Sequence, residues 1–261
     1  MKLLELKKNW NEFGRLDPLW AILAEPDKQN HGWNVEEFFM TGERDVEAIL
    51  KYIEALPFTL KHGAALDFGC GVGRLTQALS ARFDYACGVD IARSMIQLAK
   101  KLNRHGRRCR YFLNERDDLR LFKSATFDFV CSLITLQHMK PAYSKNYILE
   151  LLRTLAPGGL LFFQLPSRHK TNPALQPDEN EEATPSSSKE RRKALGLYER
   201  ALELYRDKVS AKEFEPVMEM YAVPRDEVLK LIQDNGGKVI NVQDDFSCGP
   251  DWVSFRYFIT K

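Results

Sequence analysis

Long apolar runs are missing from this chain of 261 residues. None approaches the roughly 18 consecutive apolar residues of a membrane span, so no spanning segment is expected. The opening stretch, MKLLELKKNWNEFG, is broken by charges before an apolar core of signal-peptide length builds up. Paired cysteines are missing as well. Cys70, Cys87, Cys109, Cys131 and Cys248 are odd in number, widely spaced and without a C-x-x-C pair. Neither a disulfide framework nor a zinc site follows from them, no bound metal is expected, and a reduced cytoplasmic protein is the simplest reading. Charge of one sign is also missing: 38 Lys plus Arg stand against 36 Asp plus Glu, a net +2. A nucleic-acid partner ordinarily calls for a markedly basic domain, so none is expected.

Hydrophobic residues make up 44% of the chain and aromatic residues 11%, enough for a full core. The length fits one large α/β domain with additions. Residues 1–62 read as an N-terminal helical cap. Asn34 with Glu37 three residues later has the form of a capping box. Val46, Ile49, Leu50, Ile53 and Leu56 repeat along one helical face. Thr41 and Gly42 interrupt the pattern and predict two helices with a break between them. Pro57 follows the second.

From Ala64 the pattern becomes strand, turn and helix in alternation. Strands are expected at Ala64–Phe68, Tyr85–Val89, Arg110–Leu113, Phe127–Ile134 and Leu160–Leu165, with helices at Met95–Leu102 and Tyr147–Leu155. Near-continuous apolar strands between helices predict a parallel sheet covered on both faces. A stretch rich in Pro, Ser, Glu and Asn then runs from Pro166 to Lys189. After it, Ala194, Leu195, Leu197, Tyr198, Ala201, Leu202, Leu204 and Tyr205 predict a helix with a wide apolar face. A helix from Pro224 to Ile232 and strands at Val239–Val242 and Phe255–Thr260 resume the sheet. Residues 63–166 and 223–261 therefore form the expected core, and 167–222 an insertion that serves as lid, substrate element or homodimer contact.

The sharpest feature is ALDFGCGVGRLT, ending at Thr76. Gly69, Gly71 and Gly73 follow an expected strand and precede an expected helix, a context that lets the backbone approach a nucleotide. Asp90 lies 21 residues beyond Gly69, close to the spacing at which a carboxylate meets ribose hydroxyls. At this point a nicotinamide dinucleotide and S-adenosylmethionine compete. The spacing is G-x-G-x-G rather than G-x-G-x-x-G. Asp67, just before the loop, repels a pyrophosphate and attracts an ammonium group. Both details favour the phosphate-free cation.

These residues resemble the class I S-adenosylmethionine-dependent methyltransferases. LDFGCGVGRL is similar to the family's first motif and GVDIARSMIQLAKK to its second. FLNERDDLRLF stands where the adenine-contacting segment lies, FDFVCSLITLQHM resembles the fourth-strand motif, and LLRTLAPGGLLFFQLP the helix, turn and strand after it. The resemblance implies a doubly wound, mostly parallel α/β sheet of seven strands in the order 3-2-1-4-5-7-6, the last antiparallel. It implies cofactor contacts at Asp67, Gly69, Cys70, Gly71, Gly73, Asp90, Ile91, Met95, Glu115, Arg116 and Gln137. Glu115 is the candidate for the adenine amino group and Met95 for its ring. The usual acid–alanine pair of the adenine segment is replaced by Glu115–Arg116. LQHM…LPS, with DPLW and FFMTG, resembles bacterial enzymes of glycan and secondary-metabolite pathways.

Methyl transfer from a sulfonium is an in-line displacement in which positioning supplies most of the rate. A base matters when the acceptor is a hydroxyl. His138, beyond the fourth strand, is the candidate base; packing beside the cofactor is its other reading. Arg74 opens the helix after the loop, with either a carboxylate or solvent as its partner. The expected function is methyl transfer to a small molecule, a hydroxyl of a sugar or secondary metabolite. Small-molecule N-methylation, RNA or protein methylation and non-catalytic cofactor binding are the alternatives. The basic run KKLNRHGRRCR reads as a solvated loop at the sheet edge.

Overall fold

The computed structural model describes residues 2–171 and 214–261. The helix expected at Ala194–Tyr205 lies outside them, and so does most of the 167–222 insertion. Three helices come first: α1 (Leu3–Leu16), α2 (Pro18–Ile22) and α3 (Val35–Glu54). The alternating part follows as β1 (Ala64–Phe68), α4 (Arg74–Ser80), β2 (Tyr85–Asp90), α5 (Arg93–Lys101), β3 (Cys109–Leu113) and β4 (Phe127–Ser132). It continues through α6 (Pro141–Thr154) and β5 (Leu155–His169), and after residue 214 through α7 (Arg225–Asp234), β6 (Lys238–Asp245) and β7 (Trp252–Thr260).

The seven strands form one sheet in the order β3-β2-β1-β4-β5-β7-β6. β1 pairs in parallel with β2 and β4, and β7 runs antiparallel to both β5 and β6. The order and the reversed strand are those the family resemblance implies. Alternation along the strands divides the core into two layers. Leu66, Val130, Leu161, Phe163, Tyr257 and Ile259 pack with residues of α6 and α7 on one face. Ala65, Phe129, Leu160, Phe162 and Phe258 pack with residues of α3 and α4 on the other.

The expected break in the N-terminal helices is absent: α3 runs unbroken from Val35 to Glu54. Asn34 does cap it, its Oδ1 accepting from the Glu37 amide at 3.1 Å. Glu37 turns its carboxylate to Lys28 Nζ at 2.9 Å instead of back to the cap. Gly42 is buried inside the helix, where α4 crosses close against it; a Cβ there would stand 2.3 Å from the Arg74 carbonyl oxygen. The glycine marks a close helix approach, which a reading of the local pattern took for an interruption. Helix α6 begins at Pro141, six residues before its expected start, because proline suits a first helical position.

Candidate functional site

A cleft opens at the C-terminal ends of β1, β2 and β4, the edge where open parallel sheets bind ligands. The glycine loop forms one wall. Gly69, Gly71 and Gly73 all have positive φ, at 76°, 51° and 89°. At Gly71 a Cβ would also lie 2.5 Å from Ile22 Cδ1 of α2, so a side chain there would have to displace that methyl group. The N-terminal helices thus pack directly onto the loop. Leu6 and Trp10 of α1 and Ile22 of α2 complete that side of the cleft.

Asp90 ends β2 and faces the cleft. Its Oδ2 accepts from the Gly71 amide at 2.9 Å and its Oδ1 from the Ala92 amide at 2.8 Å. These bonds fix the carboxylate in one orientation and tie β2 to the loop. Burial pushes its pKa up, and the amides of Ala92, Gly71 and Ile91 pull against that shift. Each carboxylate oxygen keeps a second lone pair for a ligand hydroxyl.

The opposite wall follows β4. Ile134 sits at φ 55°, a strained conformation for a β-branched residue. Its amide donates to Gln164 Oε1 at 3.1 Å, and Gln164 Nε2 donates to Ser254 Oγ at 2.7 Å. A chain of side chains from β5 and β7 therefore holds the kink. It turns the backbone so that Ile134, Thr135 and, after a 3-10 turn, His138 line the cleft.

His138 is buried, with its ring 5.2 Å from that of Trp10 in an edge-on contact. Its Nδ1 lies 3.0 Å from the Glu219 carbonyl oxygen. A carbonyl only accepts, so Nδ1 carries the proton and Nε2 the lone pair. Nε2 is 3.4 Å from Gln137 Nε2, a long contact in which the amide donates. Burial pushes the imidazole pKa down to about 4, opposed by the bond to Glu219. The ring is therefore neutral at ordinary pH and presents an acceptor nitrogen.

Of the other expected site residues, Gly69, Gly71, Asp90, Ile91 and His138 meet at the cleft. Asp67, Cys70, Gly73, Met95, Glu115, Arg116 and Gln137 are not among its lining. Asp67 is buried behind the loop, where its Oδ2 accepts from Thr76 Oγ1 at 2.6 Å. Cys70 is buried too, and Gly73 caps α4 against Tyr111. Met95 packs among Trp33, Phe38 and Val72. Glu115 pairs with Lys7 Nζ at 2.7 Å and with Arg93 Nη2 at 3.7 Å, joining α1 to α5. The Arg116 carbonyl accepts from Asn114 Nδ2 and from the Tyr147 hydroxyl. Gln137 is buried with its Oε1 unpartnered.

Asn114 is the residue of the adenine segment that reaches the cleft. Its two amide hydrogens go to the Arg116 and Asp118 carbonyls at 3.2 and 2.8 Å, which leaves Oδ1 as an acceptor. Trp10, Ile134, Thr135 and Tyr147 were not anticipated. Trp10 and Tyr147 look in sequence like ordinary apolar positions on helical faces, and the kink at Ile134 carries no local signal.

Residues 65–159 match the family model described as a methyltransferase domain. The ubiquinone biosynthesis O-methyltransferase of Coxiella burnetii is 32% identical over 123 residues, which are 46% of this chain and 50% of the relative. The protein of that name from Idiomarina loihiensis is 31% identical over 105 residues, 40% of this chain and 42% of the relative. The chain spans about half the length of the curated relatives it matches. Among solved structures, magnesium protoporphyrin IX methyltransferase from Synechocystis, with bound SAH, has a TM-score of 0.59 at 16% identity over 99% of both chains. A S-adenosylmethionine-dependent methyltransferase from Clostridium acetobutylicum has a TM-score of 0.58 at 16% identity, covering 90% of this chain and 95% of its own. At such identities the likeness is one of fold.

Proposed function

Because this chain belongs to the class I S-adenosylmethionine-dependent methyltransferases, we propose that it transfers a methyl group from S-adenosylmethionine to a hydroxyl of a small molecule. The observation that carries the reading is the pairing, across one cleft, of the fixed Asp90 carboxylate with the neutral His138 imidazole. The donor set fits a nucleoside without phosphates. Asp90 offers oxygens to a ribose diol, and Asn114 offers Oδ1 to an amino group. When bound, the sulfonium supplies an electrophilic methyl group and a neutral leaving group.

The chain's own residues then position the acceptor and take its proton. His138 keeps Nε2 as an acceptor because Nδ1–H is committed to Glu219, and an acceptor hydroxyl would replace the long contact that Nε2 makes with Gln137. A hydroxyl oxygen becomes strongly acidic as its bond to carbon forms. A base of low pKa therefore suffices, provided it is unprotonated and in place. Leu6, Trp10 and Met139 make the surroundings of His138 apolar and exclude water. That lining favours an acceptor with an apolar or aromatic body, as among hydroxylated secondary metabolites. The O-methylation for which the curated relatives are named supports a hydroxyl over an amine. Residues 1–62 serve as the cap that closes the cofactor side.

The test is calorimetric titration with S-adenosylhomocysteine, followed by mass-spectrometric product detection from S-adenosylmethionine and a panel of phenols, catechols, amines and sugars. Saturable binding and methylated phenolic or catecholic products are expected. Heat with a nicotinamide dinucleotide and none with S-adenosylhomocysteine overturns the reading.

A further inference from the structure

We propose that the Gln137 carboxamide is a two-position partner of the base: it donates to the neutral His138 ring, and it turns over to accept from the ring once the acceptor's proton has arrived on Nε2. The inference rests on the reading of His138 as the base and adds to it the residue that receives the charged ring.

Gln137 is 2% exposed and is not among the lining of the cleft, so it acts through His138 as a positioning residue. Its backbone is fixed. The Leu136 carbonyl accepts from Ser144 Oγ at 2.9 Å, and the Gln137 carbonyl accepts from the Tyr221 amide at 2.7 Å. The end of the side chain lies against the ring, with its Nε2 3.4 Å from His138 Nε2. Because His138 Nδ1–H is committed to the Glu219 carbonyl, the neutral ring only accepts at Nε2, and the amide must present a donor there. Gln137 Oε1 is then left buried and, among the described residues, without a partner. An acceptor orphaned beside a base that gains a proton has a use in the next state of that base.

In the transfer, the acceptor oxygen bonds to the methyl carbon as the carbon–sulfur bond breaks, and the sulfur keeps the electron pair. The hydroxyl proton passes to Nε2. The ring is now a cation with a donor on each nitrogen. Nδ1–H keeps the Glu219 carbonyl, while Nε2–H meets the amide donor to donor. Half a turn about the terminal side-chain bond exchanges Oε1 with Nε2, two groups of similar size, so the core need not repack. Oε1 then accepts from Nε2–H in a charge-assisted bond. One end of the amide lacks a partner in either setting, so neither setting is locked and the proton on the ring decides between them. Once the product leaves, the ring gives that proton to water and the amide turns back.

The experiment is a nitrogen NMR titration of the full chain labelled at its five histidines, for the parent, Gln137→Leu and Gln137→Glu. His138→Asn assigns the signal. Besides Gln137, what acts on the ring is burial, which lowers its pKa, and the Glu219 carbonyl, which raises it. Loss of a group that accepts from the charged ring lowers proton affinity, whereas loss of one that only donates to the neutral ring raises it. Gln137→Leu is therefore expected to lower the charged-to-neutral ratio of His138 about tenfold at a given pH, because the charge-assisted bond outweighs the long neutral contact. Gln137→Glu, which only accepts, should move the titration upward by about one pH unit or more. A ratio that rises or stays the same in Gln137→Leu overturns the proposal, and so does a titration that Gln137→Glu leaves unmoved. Turnover of His138→Asn equal to that of the parent is a different result and overturns the base itself.

Discussion

Gly42 of α3 leaves room for the backbone of Arg74: a Cβ there would stand 2.3 Å from the Arg74 carbonyl oxygen and 2.8 Å from its carbonyl carbon. The two helices meet backbone to backbone, and the cofactor loop begins its helix at that contact. In an exposed helix, Gly→Ala gains about 1 kcal/mol. Here the sign reverses. Gly42→Ala is expected to destabilise the protein by about 2 kcal/mol, because backbone cannot give way as a flexible side chain does. Urea unfolding checks it, and a higher midpoint would show that α3 and α4 do not meet in this way.

Asp90 links ligand and loop through its bonds to the amides of Gly71 and Ala92. Asp90→Ala should weaken S-adenosylhomocysteine by at least tenfold, about 1.4 kcal/mol. It should also lower stability, since two amides lose a buried partner at about 1–3 kcal/mol each. Titration and thermal melting are to be read together. An unchanged dissociation constant removes Asp90 from the cofactor site.

His138 is held as the Nε2-acceptor tautomer by its bond to Glu219. In His138→Asn the side-chain amide takes over the donor position of Nδ1 and removes the base. Turnover should fall by roughly a hundredfold or more. Affinity for S-adenosylhomocysteine should stay within a factor of about three. The folded pKa is about 4, so this group should impose no loss of rate near pH 6.5, the ordinary midpoint of histidine, and a loss only as pH approaches the lower value. A rate that halves near pH 6.5 in the parent but not in the variant contradicts the buried, neutral ring.

Asp67 lies behind the loop, and burial raises its pKa to about 6, with Thr76 and Arg74 acting in the opposite direction. In the unfolded chain the value is near 3.9. Between those values the native protein binds the extra proton, so this group adds stability as pH falls from about 6 toward 4 and withdraws it above 6. Asp67→Asn keeps an acceptor for Thr76 without the charge. It is expected to raise stability at pH 8 by about 2–3 kcal/mol and to change it little at pH 4. Denaturant melts at the two pH values decide, and equal effects at both would show that Asp67 is not buried as a carboxylate.

Much of the fold was legible because parallel strands covered on both faces are short apolar runs, and such runs need no partner to be recognised. FDFVCSLI and LLFFQL declare themselves as core strands. The glycine loop and Asp90 were legible for a related reason: loop turn, strand end and spacing all lie within one strand–helix–strand unit. The rest of the site was harder to see. Trp10 lines the cleft only because α1 docks across α5 from the far end of the chain, with Ser94 Oγ donating to the Asn11 carbonyl at 2.8 Å. Glu115 carries the right chemistry for an adenine contact but is turned to Lys7 and Arg93, while Asn114, one residue earlier, faces the cleft. Both residues lie just past the end of β3 at Leu113, where no strand pattern in the sequence fixes which side chain turns inward.

The order of chain elements, the parallel core and the position of a nucleotide loop were determined by the sequence alone, because each is written in hydrophobic periodicity and in residues a few positions apart. Only the tertiary structure decided that Gly42 is a crossing point, that Arg74 is a buried cation paired with Asp45, and that His138 is a neutral acceptor. Those three properties depend on which distant backbone comes within a few ångströms, and burial and tautomer follow from that proximity.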